Sequence, residues 1–300
     1  MNVILIGPLT CDIIIKNGNK YKSTGGPVFY QSGVFNSLDI GVMAVITLSD
    51  KDRNLLNSFP KKVHIYQILT KETMQFQNIY PDHDPNHRIQ RALIPENPIK
   101  YHLLSGVDFK SADAILLGPL SPYDIPLETL EYLYHTKKPI CLGGQGYLRH
   151  LKSDKIILKK WRNYKDYLKY VDCLFIDENE ARIILGGNLS SIRDIMVKLA
   201  FSGPKEVLVT CGSRGAFIYS RIEDSFYKVP AYNPGMVKDP TGLGDTFMAA
   251  YVAKKFETEN IDECGRFAAA LSCMKLEKKG FFNYSSKEIK KILRKIKLDI

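Results

Sequence analysis

Six short β-rich runs recur along the first two-thirds of the chain: "VILI" (3–6), "VMAVIT" (42–47), "AILLG" (114–118), "PICLG" (139–143), "CLFI" (173–176) and "EVLVT" (206–210). Between them lie "PVFYQSGVFNSL", "DIPLETLEYLYH", "DKIILKKWRNYKDYLKYV" and "SSIRDIMVKLAFSG", each with apolar residues at helical spacing. Strands that alternate with helices imply βαβ units, and hence a mostly parallel sheet covered on both faces. After Thr210 the pattern changes. "GAFIYS" and "SFYKVPA" flank "RIEDS" as an antiparallel hairpin, and the chain is helical from Gly244 onward apart from loops. "TMQFQNIY" (73–80) and "RIQRALI" (88–94), joined by "PDHDPNH", mix polar and apolar residues, so neither suits a central strand. They predict a hairpin projecting from the main sheet, as a lid does.

Three hundred residues suit one domain with a sizeable core, and 45% apolar with 25% charged residues is ordinary globular composition. No apolar run approaches the roughly eighteen residues of a membrane span. The start "MNVILIGPLTCDIII" lacks a basic leader and is broken by Gly7, Pro8 and Asp12, so a first strand and turn are expected rather than a signal peptide. Six scattered cysteines without a CxxC pair suit free thiols in a cytoplasmic protein. Much of the formal +10 charge sits in residues 152–170 and 285–300. In the latter, Ile289, Ile292, Leu293 and Ile296 recur at helical spacing, which makes the lysines a solvated face. Neither a nucleic-acid nor a membrane partner is expected, although a basic protein does attract small anions such as nucleotides.

One stretch concentrates chemistry. "DPTGLGDTF" (239–247) places two glycines and two aspartates directly before a helical run. Glycines at a helix start let backbone N–H groups converge, and the helix dipole adds positive potential, which makes an anion hole. An acid beside such a hole, here Asp245, needs a task, such as taking a proton from an attacking hydroxyl. The other reading makes Asp239 or Asp245 an ordinary helix cap. No GxxxxGK[ST] loop occurs, and "GPLTCD" after the first strand is not a dinucleotide fingerprint, which disfavours an NAD-binding domain.

The chain resembles the ribokinase-like (PfkB) family of carbohydrate kinases, whose late signature D-[TP]-T-G-[AC]-G-D-[ST]-F is matched by "DPTGLGDTF" except at Leu243. "GPLTCD", "STGGPVFYQSG", "TMQFQNIY…RIQRAL", "VTCGSRGA" and "FAAALSCMKLEKKG" resemble further family segments in family order. The resemblance implies an α/β three-layer sandwich with a central, mostly parallel sheet. It also implies a single domain over 1–300, with a small β lid from about 12–24 and 73–95. It implies ATP- and magnesium-dependent phosphorylation of a sugar or polyol hydroxyl. Asp245 is then the general base, and the backbone of Gly242, Leu243 and Gly244 the anion hole. Asp12, Gly25 and Gly26 fall where the family binds its acceptor, and Thr210, Gly212, Gly215 and Thr241 where it contacts ATP. The family's NxxE motif maps onto "DENE" (177–180), giving Asp177 and Glu180 for magnesium. An Asp at this position binds the metal more directly, or it only caps the helix that follows. An unperturbed aspartate, with pKa about 3.9, is a weak base, so proton acceptance is expected late in the transfer.

The acceptor end departs from ribokinase. Phe29 and Tyr30 stand where ribokinase carries an Asn, which argues against ribose. "LGGQGYLR" (142–149) resembles a stretch of the myo-inositol-kinase-like branch, although Gly143 and Gly144 precede the Gln where that branch has an Asp. By this resemblance Gln145 and Arg149 reach a polyol or a phosphate; alternatively Arg149 only caps its loop. A nucleoside kinase of the same fold is the alternative, with Phe76, Tyr80 or Tyr30 stacking a base unless they are plain packing. His83 and His87 are spaced as a helical metal pair, but Pro85 between them prevents the helix and predicts a turn. The family often dimerises through its lid, and an exposed hairpin edge suits that.

Overall fold

Strand β1 (Asn2–Pro8) sends Val3 and Leu5 to one face of its sheet and Ile4 and Ile6 to the other, all four 2% exposed or less. This alternation, repeated on neighbouring strands, divides the core into two layers. The computed structural model describes residues 1–16, 19–80, 89–186 and 191–295. In chain order, β2 (Thr10–Lys16), β3 (Asn19–Gly25), α1 (Pro27–Ser37), β4 (Gly41–Ser49), β5 (His64–Thr70), β6 (Met74–Tyr80) and β7 (Ile89–Leu93) follow. Next come β8 (Ala114–Leu117), α2 (Leu127–Tyr134), β9 (Ile140–Gly143), β10 (Arg149–Lys152), β11 (Lys155–Leu158) and α3 (Tyr164–Leu168). Then β12 (Cys173–Asp177), α4 (Glu178–Leu185), α5 (Ile192–Ala200), β13 (Glu206–Thr210), β14 (Ala216–Ser220) and β15 (Ser225–Val229) complete the strands. Helices α6 (Leu243–Lys255), α7 (Ile261–Leu276) and α8 (Ser286–Lys295) close the described chain.

Nine strands form the main sheet in the order β15-β14-β13-β12-β9-β8-β1-β4-β5. The seven from β13 to β5 run parallel, and β14 and β15 add an antiparallel edge. Val3, Leu5, Ala44 and Leu116 pack with α1, α6, α7 and α8 on one face; Ile4, Ile6, Ile115 and Leu117 pack with α2 to α5 on the other. The result is a three-layer α/β sandwich. The chain starts mid-sheet, builds outward through β4 and β5, then returns to add β8, β9, β12 and β13 on the other side of β1. Such a reversal leaves a crevice at the carboxyl ends of the strands, where α/β proteins place their ligands.

A second sheet, β3-β2-β6-β7, stands at that carboxyl end. Strand β2 pairs parallel with β6 and antiparallel with β3, so Asp12 lies opposite Phe76. The sequence runs 73–80 and 88–94 do form the antiparallel pair β6 and β7. The connecting turn with His83, Pro85 and His87 lies outside the described residues, as do the side chain of Tyr80 and Ile296.

The stretch 154–171 departs from its expected helix. It yields β11, which pairs with β10 across a turn at Ser153, whose φ is +60°, and then only the five-residue α3. Ile156 and Ile157 favour a strand, and Ile156 packs beside Met74, Phe76 and Leu120 beneath the smaller sheet. The hairpin docks there through a bond from the Ala92 amide to the Asp154 carbonyl at 2.8 Å and an Arg91–Asp154 ion pair at 3.2 Å. Strand β5 escapes the apolar-run pattern because it is the sheet's edge, with Ile68 its buried residue. In α8, Ile289 and Leu293 are buried while Lys287, Lys290 and Lys291 are exposed. The six cysteines are unpaired, and no helix among the described residues is long and apolar enough to cross a membrane.

Candidate active site

The reversal in strand order and the smaller sheet together enclose a cleft of about 480 Å³, within the ordinary range for small-ligand sites. Its walls come from the ends of successive strands. β2 supplies Thr10 and Asp12, the segment after β9 supplies Gln145, β12 and β13 end in Asp177 and Thr210, and β6 contributes Phe76 and Asn78 from above. Of the residues marked in the sequence, Asp12, Gly26, Gln145, Arg149, Asp177, Glu180, Thr210, Thr241, Gly242, Leu243, Gly244 and Asp245 all line it. Gly25, Gly212 and Gly215 are not among the lining residues.

Two helices open onto this cleft with no side chain capping them. α1 begins at Gly26, φ +100°, followed by Pro27, and α6 begins at Gly242, φ +75°. Neither Asp239 nor Asp245 caps α6, so the cap reading of "DPTGLGDTF" does not hold. Asp239 instead accepts the Thr241 amide at 2.9 Å and the Gly280 amide at 3.1 Å. The first amides of α6 are therefore left for something else, and an uncapped N-terminus carries positive potential. Only glycine suits position 242: beyond its left-handed φ, a Cβ there would lie within 2.7 Å of the Tyr30 ring. At Gly244 a Cβ would meet no atom within 4 Å, so the backbone faces open space. Leu243, the departure from the signature, is half-buried on the cleft wall.

Three carboxyls feel the charge of Arg149. The surrounding protein desolvates Asp245 and lifts it to about 7, with Arg149 pulling down and Glu180 pushing up. Burial likewise lifts Asp12 to about 6, opposed by the Thr10 hydroxyl, which donates to Asp12 Oδ1 at 2.8 Å, and by Arg149. Glu180, 4% exposed, is raised by burial first and by the charge of Asp177 second; Arg149 and a Gln145 hydrogen bond partly offset this. The guanidinium also lies 5.8 Å from the centre of the Phe76 ring.

Gly25 acts one step behind the wall. A Cβ on it would strike the Asp12 carboxylate and lie 2.6 Å from the Thr10 hydroxyl, so its absence makes room for that pair. Gly212 and Gly215 sit in the turn after β13, both with positive φ. Gly215 leaves space for the backbone at Val229–Ala231, and Gly212 is exposed.

Asp177 is the N-cap of α4, in a reciprocal box with Glu180, which bears out the capping reading of this residue. Among the described residues no three His, Cys, Asp or Glu side chains form a ready metal site. The donors nevertheless fit magnesium, which is usually held by one or two carboxylates together with waters and substrate phosphates. Here the exposed Asp177 and the buried Glu180 flank the same cleft as the α6 amides.

Sequence reading missed Thr10, Asn78 and Lys275. The first two carry a signal, since each stands two residues along its strand from a marked residue (Asp12 and Phe76) and so shares its face.

Over 277 residues, 89% of this chain and 92% of the other, the sequence is 30% identical to a cytidine kinase of Thermococcus kodakarensis. The chain belongs to the pfkB family of carbohydrate kinases. Residues 146–288 match the model of that family, described as pfkB family carbohydrate kinase. A ribokinase of Arabidopsis thaliana is 31% identical over 140 residues, which are 45% of this chain but only 36% of the ribokinase. The fold is ribokinase-like. A pyrophosphate-dependent kinase of the ribokinase family, solved with a pyrophosphate analogue and myo-inositol, superposes with a TM-score of 0.80 at 20% identity. That superposition covers 96% of this chain and 99% of the other.

Proposed function

We propose that this pfkB-family protein transfers the γ-phosphate of ATP to a hydroxyl of a small sugar or polyol, with Asp245 as general base. The observation that carries this reading is the pairing, on one wall, of an uncapped helix N-terminus with a carboxyl raised to about 7 in that helix's first turn. Phosphoryl transfer asks mainly for positioning and charge neutralisation, and those two features supply both. The acceptor oxygen bonds to the γ-phosphorus as the bond to ADP breaks, and the hydroxyl proton passes to Asp245. A base with a pKa near neutrality is better matched to this step than an ordinary aspartate, so proton transfer need not wait until the end.

In this reading the amides of Gly242, Leu243 and Gly244 receive the phosphoryl oxygens. Asp12 and Gln145 hold acceptor hydroxyls, with Gly25 and Gly26 setting the backbone close behind them. Arg149 holds acceptor and phosphoryl group together, because it acts on Asp12, Glu180 and Asp245 alike. Thr210, Thr241 and the turn with Gly212 and Gly215 attend ATP. Asp177 and Glu180 would hold magnesium, which would supply charge neutralisation to the phosphates. The smaller sheet serves as the lid of a single domain. Two copies pair through β3, where Lys20, Tyr21 and Lys22 are exposed, because the β7 edge already engages Asp154.

A second reading takes a nucleoside as acceptor. It is favoured by the cytidine kinase likeness and by the Tyr30 and Phe76 rings on the cleft wall. A panel of inositols, sugars and nucleosides with magnesium and ATP, read as ADP formed, separates the two. No ADP with any acceptor would remove both.

A further inference from the structure

Helix α7 carries a lysine where its pattern calls for an apolar residue. Ala268, Leu271 and Lys275 follow at i, i+3 and i+7 on the buried stripe, and all three are 0% exposed. A lysine wholly removed from water persists only where oxygens replace its hydration. Lys275 has three. Its Nζ donates to the Asp239 carbonyl at 3.2 Å and to the Lys278 carbonyl at 3.4 Å, and lies 3.5 Å from Asp239 Oδ2. Burial pulls its pKa down while Asp239 holds it up.

Those oxygens belong to the support of the α6 N-terminus. Asp239 opens the turn to Gly242, and its carboxylate takes the Thr241 and Gly280 amides. The Lys238 and Asp239 amides donate to the Leu276 carbonyl at 2.7 and 3.3 Å, which ties the turn to the end of α7. Tyr30 braces Gly242 from the other side, and the Lys275 ammonium lies 5.9 Å from its ring centre. The ammonium thus sits behind the amides that face the cleft.

We propose that Lys275 is a positioning residue. Its tethered ammonium orders the Asp239–Gly242 turn and lends positive potential to the anion hole, the work a monovalent cation held by the same oxygens would otherwise do. Binding of the phosphate donor is therefore indifferent to monovalent cations. The inference rests on the kinase reading for the anion that the hole receives, but the ammonium site itself can be tested without donor or acceptor.

Native protein and Lys275→Ala are compared in potassium, ammonium and tetramethylammonium chloride at equal ionic strength. Thermal melting is followed without ligand, and ATP binding by calorimetry. The native Tm and ATP affinity should be the same in all three salts. In tetramethylammonium, Lys275→Ala should bind ATP about tenfold more weakly. Potassium or ammonium should restore most of that affinity and raise the variant's Tm. A purely structural lysine would give a loss that no small cation restores, and that result overturns the proposal. So does native protein whose ATP affinity rises about tenfold on adding potassium; this arm decides even if Lys275→Ala fails to fold. A cation-dependent Tm in Lys275→Ala, with no ATP binding by native protein, keeps the cation site and removes the kinase reading.

Discussion

Asp177 and Glu180 cap each other: Asp177 Oδ1 accepts the Glu180 amide at 2.7 Å, and Glu180 Oε2 accepts the Asp177 amide at 2.9 Å. Asp177 is thus fixed by a capping box, and Asn and Asp cap helices about equally well. Asp177→Asn should change stability by less than about 0.5 kcal/mol, whereas Asp177→Ala should cost about 1 kcal/mol. Urea denaturation of the two variants checks this. Equal losses from both would show that the carboxylate charge, not the cap, matters for folding.

Activity should depend on pH through the raised carboxyls. As the proposed base Asp245 must be ionised to accept a proton, and it is raised to about 7, with Asp12 at about 6. The kcat should therefore climb as pH rises through about 7 and level off above it. A profile flat down to about pH 5 would mean that the base titrates as an ordinary aspartate.

The same shift bears on stability with the opposite sign to an ordinary paired aspartate. Asp245 is raised from 3.8 to about 7 in the folded protein, so its contribution is fully present below the unfolded value and lost as pH rises through the folded one. Asp245→Asn, which carries no charge, should then stabilise the protein at alkaline pH by about 2 kcal/mol. Its Tm should exceed that of the native protein by several degrees near pH 8 and match it near pH 4. A destabilised variant at both values would contradict the desolvated charge.

Gly242 and Tyr30 form a contact that tolerates no side chain at 242. Gly242→Ala meets both a φ of +75° and the Tyr30 ring, which together should cost about 2–4 kcal/mol. ATP affinity should fall with it because α6 is displaced. Normal folding and binding in Gly242→Ala would mean that the turn is not the anion hole.

The layered fold was legible because burial on both faces writes itself into continuous apolar runs such as "VILI" and "EVLVT". Edge and docking elements left weaker marks. Strand β5 is only partly apolar because, at the sheet's edge, Ile68 is its one buried residue, and the β10–β11 hairpin is amphipathic because Ile156 packs beneath the smaller sheet. At the site, "DPTGLGDTF" named the helix start, but only the structure separates an open N-terminus from a capped one. The joint action of Arg149 on three carboxyls, and the seat of Lys275 behind the Asp239–Gly242 turn, depend on segments more than thirty residues apart in the chain. Local pattern marks Lys275 only as a lysine on the apolar stripe of α7, and places neither group against its partners.

The most direct test of the central claim is turnover and ATP binding measured side by side in native protein and Asp245→Asn, with whichever acceptor yields ADP. Loss of the base should lower kcat by about 10²–10⁴-fold, while the ATP Kd stays within about threefold of native. Undiminished ADP formation by Asp245→Asn would contradict the account.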